Sequence, residues 1–331
     1  MISLRSCLLA AAAIIVVIAL SAFVPWLRFV LTVILAKTLA VFGVHLLLRG
    51  GQVSFGHALF IAISAYAVAF LAPVMPELLI LVPAAILISI LVALVLGLFV
   101  VRYRDIFFGM LNLAMSMVFY SLLEKFYAIT RGSDGMRVAP TRLAGFVLSP
   151  ETSSWVALLL GLVLVTGCGL LLTIYLASPM GQALAGIKTR ETRLEFMGVP
   201  ARRVLLISYV FAAAMAGGGG VVLALASQQV TPALAYWTAS GELVFIAVLG
   251  GAGSVMGPIL GAVGYELTRV YAAALVAGTW QMILGFVLLA VILFVPGGLV
   301  DILRRLTGRT STGEQRSDRA LAAKSARRLL P

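Results

Sequence analysis

The chain has 331 residues, of which 62% are hydrophobic and 11% are charged, with a formal net charge of +12. A soluble domain carries about 25% charged residues. A chain this apolar has too little polar surface to cover itself in water, so we expect it to lie in a lipid bilayer. Its basic residues fall in short segments between apolar runs, which is typical of topology signals and disfavours nucleic acid as a partner.

Ten apolar runs approach the length of about 20 residues that a helix needs to cross the hydrocarbon core. They cover residues 8–24, 29–48, 54–73, 78–101, 106–128, 154–176, 204–225, 238–253, 257–274 and 279–296. The first run could be a signal peptide, but its length favours a retained helix. The sequence thus predicts an all-α polytopic membrane protein with about ten transmembrane helices over 1–301. A basic, poorly ordered tail is expected over 302–331, resting on anionic lipid.

The placement of Lys and Arg predicts the orientation of these helices. With the N-terminus in the cytoplasm, 17 of the 24 basic residues fall on the inner side and six on the outer side, while Lys37 lies mid-run. Because basic residues concentrate in cytoplasmic segments, we expect both termini in the cytoplasm. The longest outer loop is then 129–153 and the longest inner loop 177–203.

The inner loop carries signals for a helix of its own. Ser178-Pro179 is a typical helix start, and Gly198 followed by Pro200 is a typical stop. Apolar and charged side chains alternate between them, which predicts a short amphipathic helical hairpin on the cytoplasmic face. Two roles stay open for it: a helix resting on lipid, or a docking segment for a cytoplasmic partner.

Several kinds of chemistry have no signature in the sequence. None of the four lysines follows a glycine, so there is no Walker A loop, and no metalloprotease or nucleophile-elbow motif occurs. We therefore expect no enzyme activity, no cofactor and no metal in this chain. Few acidic residues lie mid-run, which disfavours an ion-coupled secondary carrier. Glu242 and Glu266 are the exceptions, and Glu266 either pairs with Arg269 or acts in transport.

Five ordered segments resemble branched-chain amino-acid type ABC transporter permeases. The inner loop matches the coupling segment of that family at Gly181, Ala183, Leu184, Ile187, Glu191, Glu195 and Gly198, whereas Thr189 and Arg190 depart from its usual Glu-Asn. The other four segments are Gly51-Gln-Val-Ser54-Phe-Gly56-His57-Ala58, Gly132-Ser133-Asp134-Gly135, the glycine-rich stretch over 248–258, and the stretch over 294–299.

The resemblance implies a permease subunit of an ATP-driven importer in the bacterial inner membrane. It implies ATP hydrolysis on two separate cytoplasmic ATPase subunits, a second and non-identical permease subunit, and a periplasmic solute-binding protein. The substrate would be a branched-chain or related amino acid, with urea or short amides left open. A rival interpretation is an ion-coupled secondary transporter of a small polar solute.

The resemblance also suggests roles for particular residues. The seven matching inner-loop residues would couple to the ATPase, and Ser133, Asp134 and Gly135 would meet the binding protein. The translocation path would include Gly51, Ser54, Gly56, His57, Gly250, Gly251, Gly253 and Ser254, although the residues themselves favour close helix packing as the alternative. Lys37 has no counterpart in the family pattern and is hypothesised to face a cavity between subunits.

Overall fold

The computed structural model describes residues 4–251, 253–275, 280–295 and 297–301. The predicted tail over 302–331, and Pro296 in the last family-like segment, lie outside the described residues. The helices are α1 (Leu4–Phe23), α2 (Pro25–Arg49), α3 (His57–Leu71), α4 (Leu78–Val100), α5 (Asp105–Lys125), α6 (Tyr127–Thr130), α7 (Pro150–Ala177), α8 (Pro179–Phe196), α9 (Ala201–Ser227), α10 (Trp237–Gly250), α11 (Met256–Leu275) and α12 (Trp280–Phe294). The strands, each two residues long, are β1 (Met136–Arg137), β2 (Arg142–Leu143), β3 (Phe146–Val147) and β4 (Gln229–Val230).

The predicted apolar runs coincide with helices throughout the described ranges, which confirms the all-α polytopic membrane class. Within the residues that the structure describes in full, five helices are long and apolar enough to cross a membrane: α2, α4, α5, α7 and α9. Shorter apolar helices are α3, α10 and parts of α1 and α12. The run predicted from residue 54 starts too early, because α3 begins only at His57 after a turn in which Gly51 has a φ of +76°.

Helices α2 and α9 form the centre of the bundle, and small residues let them approach closely. An added Cβ at Gly219 would overlap the Ala36 carbonyl oxygen of α2, and one at Gly43 would overlap the Ala212 carbonyl oxygen of α9. A Cβ at Gly220 would overlap the Ile61 carbonyl oxygen of α3. Each glycine inside a helix costs about 1 kcal/mol relative to alanine. Here the close crossing requires them, so packing is the role that the structure gives to the glycine run on α9.

The strands join the loops at one end of the bundle, opposite the end where α8 lies. β1 pairs antiparallel with β4, and β2 with β3. The backbone N–H of Arg142 also donates a 2.7 Å hydrogen bond to the Pro76 carbonyl. The sequence predicted only a long loop here, because strands of two residues leave no readable alternation. We call this end of the bundle the strand end and the other the α8 end.

Candidate coupling and translocation site

The amphipathic helix α8 begins and ends as its sequence predicts. The Ser178 hydroxyl accepts a hydrogen bond from the backbone N–H of Gly181, which caps the helix, and Pro179 occupies its first turn. After the helix, Gly198 has a φ of +81°, and the Val199 N–H returns to the Leu194 carbonyl at 3.0 Å. The sequence signals for the start and the stop of α8 depend on neighbouring residues, and the hydrogen bonds that form its two ends are local as well.

A kink divides α8 into two parts. Arg190 has non-helical dihedrals, with φ −155° and ψ 95°. The Leu194 side chain consequently comes back to within 3.1 Å of the position that a Cβ on Gly186 would occupy. Arg190 is one of the two positions that depart from the family pattern.

The first part of α8 packs directly under the turn between α2 and α3. Leu184 and Ile187 are buried, and Ala183 is half-buried. Leu184 lies so close to Gly50 that an added Cβ there would be 2.6 Å from a Leu184 methyl carbon, and a Cβ on Gly51 would be 3.1 Å from Lys188 Cγ. Gly181 is needed because any side chain would collide with the backbone of Tyr175 and Leu176. The predicted coupling segment therefore contacts the predicted path segment at the turn that follows α2.

The second part of α8 presents exposed side chains together with one internal ion pair. Glu195, Phe196, Met197 and Gly198 are exposed. Glu191 instead accepts two hydrogen bonds from the Arg104 guanidinium, at 2.7 and 2.9 Å. Arg104 precedes α5, and no sequence pattern predicts this contact.

The segment over 51–57 is buried and hydrogen-bonded. The Ser54 hydroxyl lies 2.9 Å from His57 Nδ1, and the Ala58 N–H donates to the Ser240 hydroxyl of α10 at 3.1 Å. A Cβ on Gly56 would lie 2.6 Å from the Asn112 carbonyl oxygen of α5. These contacts give the segment a packing role at the junction of α3, α5 and α10.

The second predicted path segment lies at the same end of the bundle. Gly250 and Gly251 pack against the backbone of Gly257 and Gly297, where no Cβ would fit. The Arg49 guanidinium donates to the Gly253 carbonyl at 3.3 Å, which connects the two glycine-rich segments. The Ser254 hydroxyl accepts from the Met256 N–H at 3.3 Å, just before α11.

At the strand end, the Gly132–Gly135 segment forms a 3₁₀ turn. The Tyr127 hydroxyl donates a 2.6 Å hydrogen bond to the Asp134 carboxylate, and this bond raises the pKa of Tyr127. Gln229 of β4 donates to the Asp134 carbonyl at 3.0 Å. Gly135 has a φ of +73°, and it leaves no room for a side chain against the Val230 carbonyl. Ser133 and Asp134 are exposed, as a docking surface requires.

A group of charged side chains meets between α2, α10 and α11. Lys37 Nζ lies 2.9 Å from a Glu266 oxygen and 3.3 Å from a Glu242 oxygen. The other Glu266 oxygen accepts from Arg269 at 2.8 Å, which is the pairing alternative considered for those two residues. Glu242 and Glu266 are the two mid-run acidic residues singled out from the sequence, and α10 and α11 bring both to one lysine.

This cluster borders a cavity in the described structure. The cavity has a volume of about 500 Å³ and lies between α10, α11 and α12. Glu242 supplies its charged wall, and its aromatic walls are Trp237, Phe245 and Tyr265. None of the eight predicted path residues lines this cavity. The family-like sequence motifs and the cavity therefore lie in different parts of the bundle.

The described part is thus a bundle of apolar helices with one amphipathic helix packed across an end, the architecture of a polytopic membrane protein. A family model described as branched-chain amino acid transport system, permease component, matches residues 26–293. The chain belongs to this family.

Individual relatives are more distant. The high-affinity branched-chain amino acid transport system permease protein LivM of Escherichia coli (strain K12) is 25% identical over 262 residues, which cover 70% of this chain and 60% of LivM. LivH of the same strain is 29% identical over 133 residues, or 40% of this chain and 43% of LivH. The chain therefore spans about 60% of the length of LivM. No solved structure matches significantly.

Proposed function

We propose that this chain is the membrane-spanning permease subunit of an ATP-driven importer. Family membership supports the class, and the contact of α8 with the turn at Gly50 and Gly51 is the observation that carries the mechanism. A cytoplasmic ATPase subunit that pushes on the exposed part of α8 would press Leu184 and Lys188 against the junction of α2 and α3. Such a displacement would alternate access between the two sides of the bundle.

The substrate and the topology are part of the same proposal. The substrate is a branched-chain or related amino acid, in keeping with the printed names of LivM and LivH. Ten helices cross the inner membrane, both termini are cytoplasmic, and α8 forms a bent hairpin between the sixth and seventh of them. The excess of basic residues predicted for the α8 end supports this orientation.

The proposed assembly divides the work among several chains. Two cytoplasmic ATPase subunits bind and hydrolyse ATP, which this permease does not do. A second, non-identical permease completes the membrane part, and a periplasmic binding protein delivers the substrate to the surface around Asp134. The exposed Ser133 and Asp134, held by Tyr127 and Gln229, give that surface a defined shape.

Co-expression of this chain with its candidate permease and ATPase partners tests the proposal. The complex should co-purify, and in proteoliposomes it should accumulate radiolabelled leucine only with ATP inside and binding protein outside. A matched vesicle with a non-hydrolysable ATP analogue is the control. Failure of any ATPase subunit to co-purify would count against the proposal.

One observation favours the rival, an ion-coupled secondary transporter. Glu242 and Glu266 meet Lys37 at mid-helix, and ionisable groups at that depth often serve ion pathways. The rival predicts uptake in vesicles without ATP when a proton or sodium gradient is imposed. The same vesicles distinguish the two, because an importer of the proposed class would accumulate nothing under that condition.

A further inference from the structure

The ion pair between Arg104 and Glu191 joins two elements that are far apart in the sequence. Both oxygens of Glu191 accept hydrogen bonds from the Arg104 guanidinium, at 2.7 and 2.9 Å, across 87 residues of chain. The two side chains are 22% and 31% exposed, so water reaches the pair only in part. A bidentate, charge-assisted pair of this kind fixes direction as well as distance.

Arg104 is itself held in place. Its guanidinium also donates to the backbone carbonyls of Val101 and Tyr103. These carbonyls follow the end of α4, so the guanidinium is fixed to the short connection between α4 and α5. Glu191 therefore holds a fixed point next to the first residue of α5.

The first residue of α5 is tied a second time, to the path segment. The Asp105 N–H donates a 3.0 Å hydrogen bond to the side-chain oxygen of Gln52, which is buried. Asp105 has a φ of +53°, in the left-handed region that residues with a side chain rarely adopt. Gln52 and Arg104 together fix the backbone at the start of α5. The position of this start therefore depends on both the path segment and α8.

The rest of α5 packs against the bundle on one side only. Among its most apolar residues 28% are buried, the same share as in α4, against 78% in α2. Its buried face is anchored by a 2.7 Å hydrogen bond from the Tyr209 hydroxyl to Asn112 and one from Ser116 to the Ala235 carbonyl. These contacts join α5 to α9 and to the segment before α10, so a displacement at its held end would reach them through α5.

We propose that Glu191 is a positioning residue that acts through Arg104: it transmits displacement of α8 to α5 and does not contact the ATPase. This inference rests on the proposed function. It also revises the role that the family resemblance suggested for Glu191, because the carboxylate is already used inside the chain. In this account the ATPase docks on the exposed end of α8.

The whole transporter, with its partner subunits, tests this role through Glu191→Gln and Arg104→Gln. ATPase co-purification should stay at the wild-type level, while leucine uptake per ATP hydrolysed should fall about tenfold, the factor for one lost charge-assisted hydrogen bond. Arg102→Gln is the matched control. It removes the same charge two residues away, where the side chain is exposed and makes no ion pair within the described ranges.

Arg104→Lys keeps the positive charge and a donor for Glu191, so it should retain most of the uptake per ATP that Arg104→Gln loses. A purely structural role would not lower this ratio while ATPase binding and expression stay constant. Loss of ATPase co-purification in Glu191→Gln, or an Arg104→Lys variant no better than Arg104→Gln, would overturn the inference. Absence of ATPase from the wild-type complex would instead contradict the proposed function itself.

Discussion

The ammonium group of Lys37 lies 2.9 Å from the carboxylate of Glu266, a partner 229 residues away in the sequence. Lys37 is the thirteenth of the 25 residues of α2, so the pair lies at mid-helix. A lone charge at the bilayer centre costs about 2.5–3.5 kcal/mol on insertion scales. Glu266 and Glu242 together compensate Lys37, and Arg269 compensates Glu266, so these four side chains are formally neutral.

We expect Lys37→Met to destabilise the protein strongly. Removing one partner of a buried pair typically costs about 3–5 kcal/mol, because the remaining charge stays uncompensated. The apparent melting temperature of the purified protein in detergent measures the loss. The double variant Lys37→Met/Glu242→Gln keeps the neutral pair of Glu266 and Arg269, and it should melt above Lys37→Met. Equal melting temperatures for the single and double variants would show that the cluster carries no such coupling.

Two glycines of α9 that lie two positions apart should respond in opposite ways to alanine. At Gly220 an added Cβ overlaps Ile61 and Ser64 of α3, so Gly220→Ala should destabilise by about 1–3 kcal/mol. At Gly218 an added Cβ lies 3.7 Å from Leu164, an ordinary contact. Gly218→Ala should therefore be neutral, or stabilising by up to about 1 kcal/mol through helix propensity. Thermal unfolding of the two variants side by side checks the close crossing, and a reversed order would contradict it.

The two parts of α8 should separate stability from recruitment of the ATPase. Leu184 is buried against Gly50, so Leu184→Ala should cost about 2–5 kcal/mol of stability. Phe196 is 93% exposed at the end of α8, so Phe196→Ala should leave the melting temperature unchanged. Phe196→Ala should nevertheless weaken ATPase co-purification severalfold, because exposed aromatic side chains often anchor interfaces. Unchanged ATPase co-purification in Phe196→Ala would show that the exposed end of α8 is not the docking site.

The predictable features were those that depend on neighbouring residues. Apolar run length predicted the helices, and the serine-proline start and glycine stop predicted the ends of α8. The partner of Lys37 and the Arg104–Glu191 pair were missed, because their residues are 229 and 87 positions apart and no local period connects them. Gln52 was missed for the same reason: its role depends on where α5 begins. The glycine motifs were visible in the sequence, but the contacts that require glycine there are seen only in the packed bundle.

The most direct test of the central claim is leucine uptake by proteoliposomes that contain this chain with its permease and ATPase partners. Uptake is measured with ATP inside and binding protein outside, then with ATP withheld and an imposed proton or sodium gradient. The account predicts accumulation that depends on ATP hydrolysis and falls about tenfold per ATP in Glu191→Gln. Accumulation driven by the ion gradient alone would contradict it.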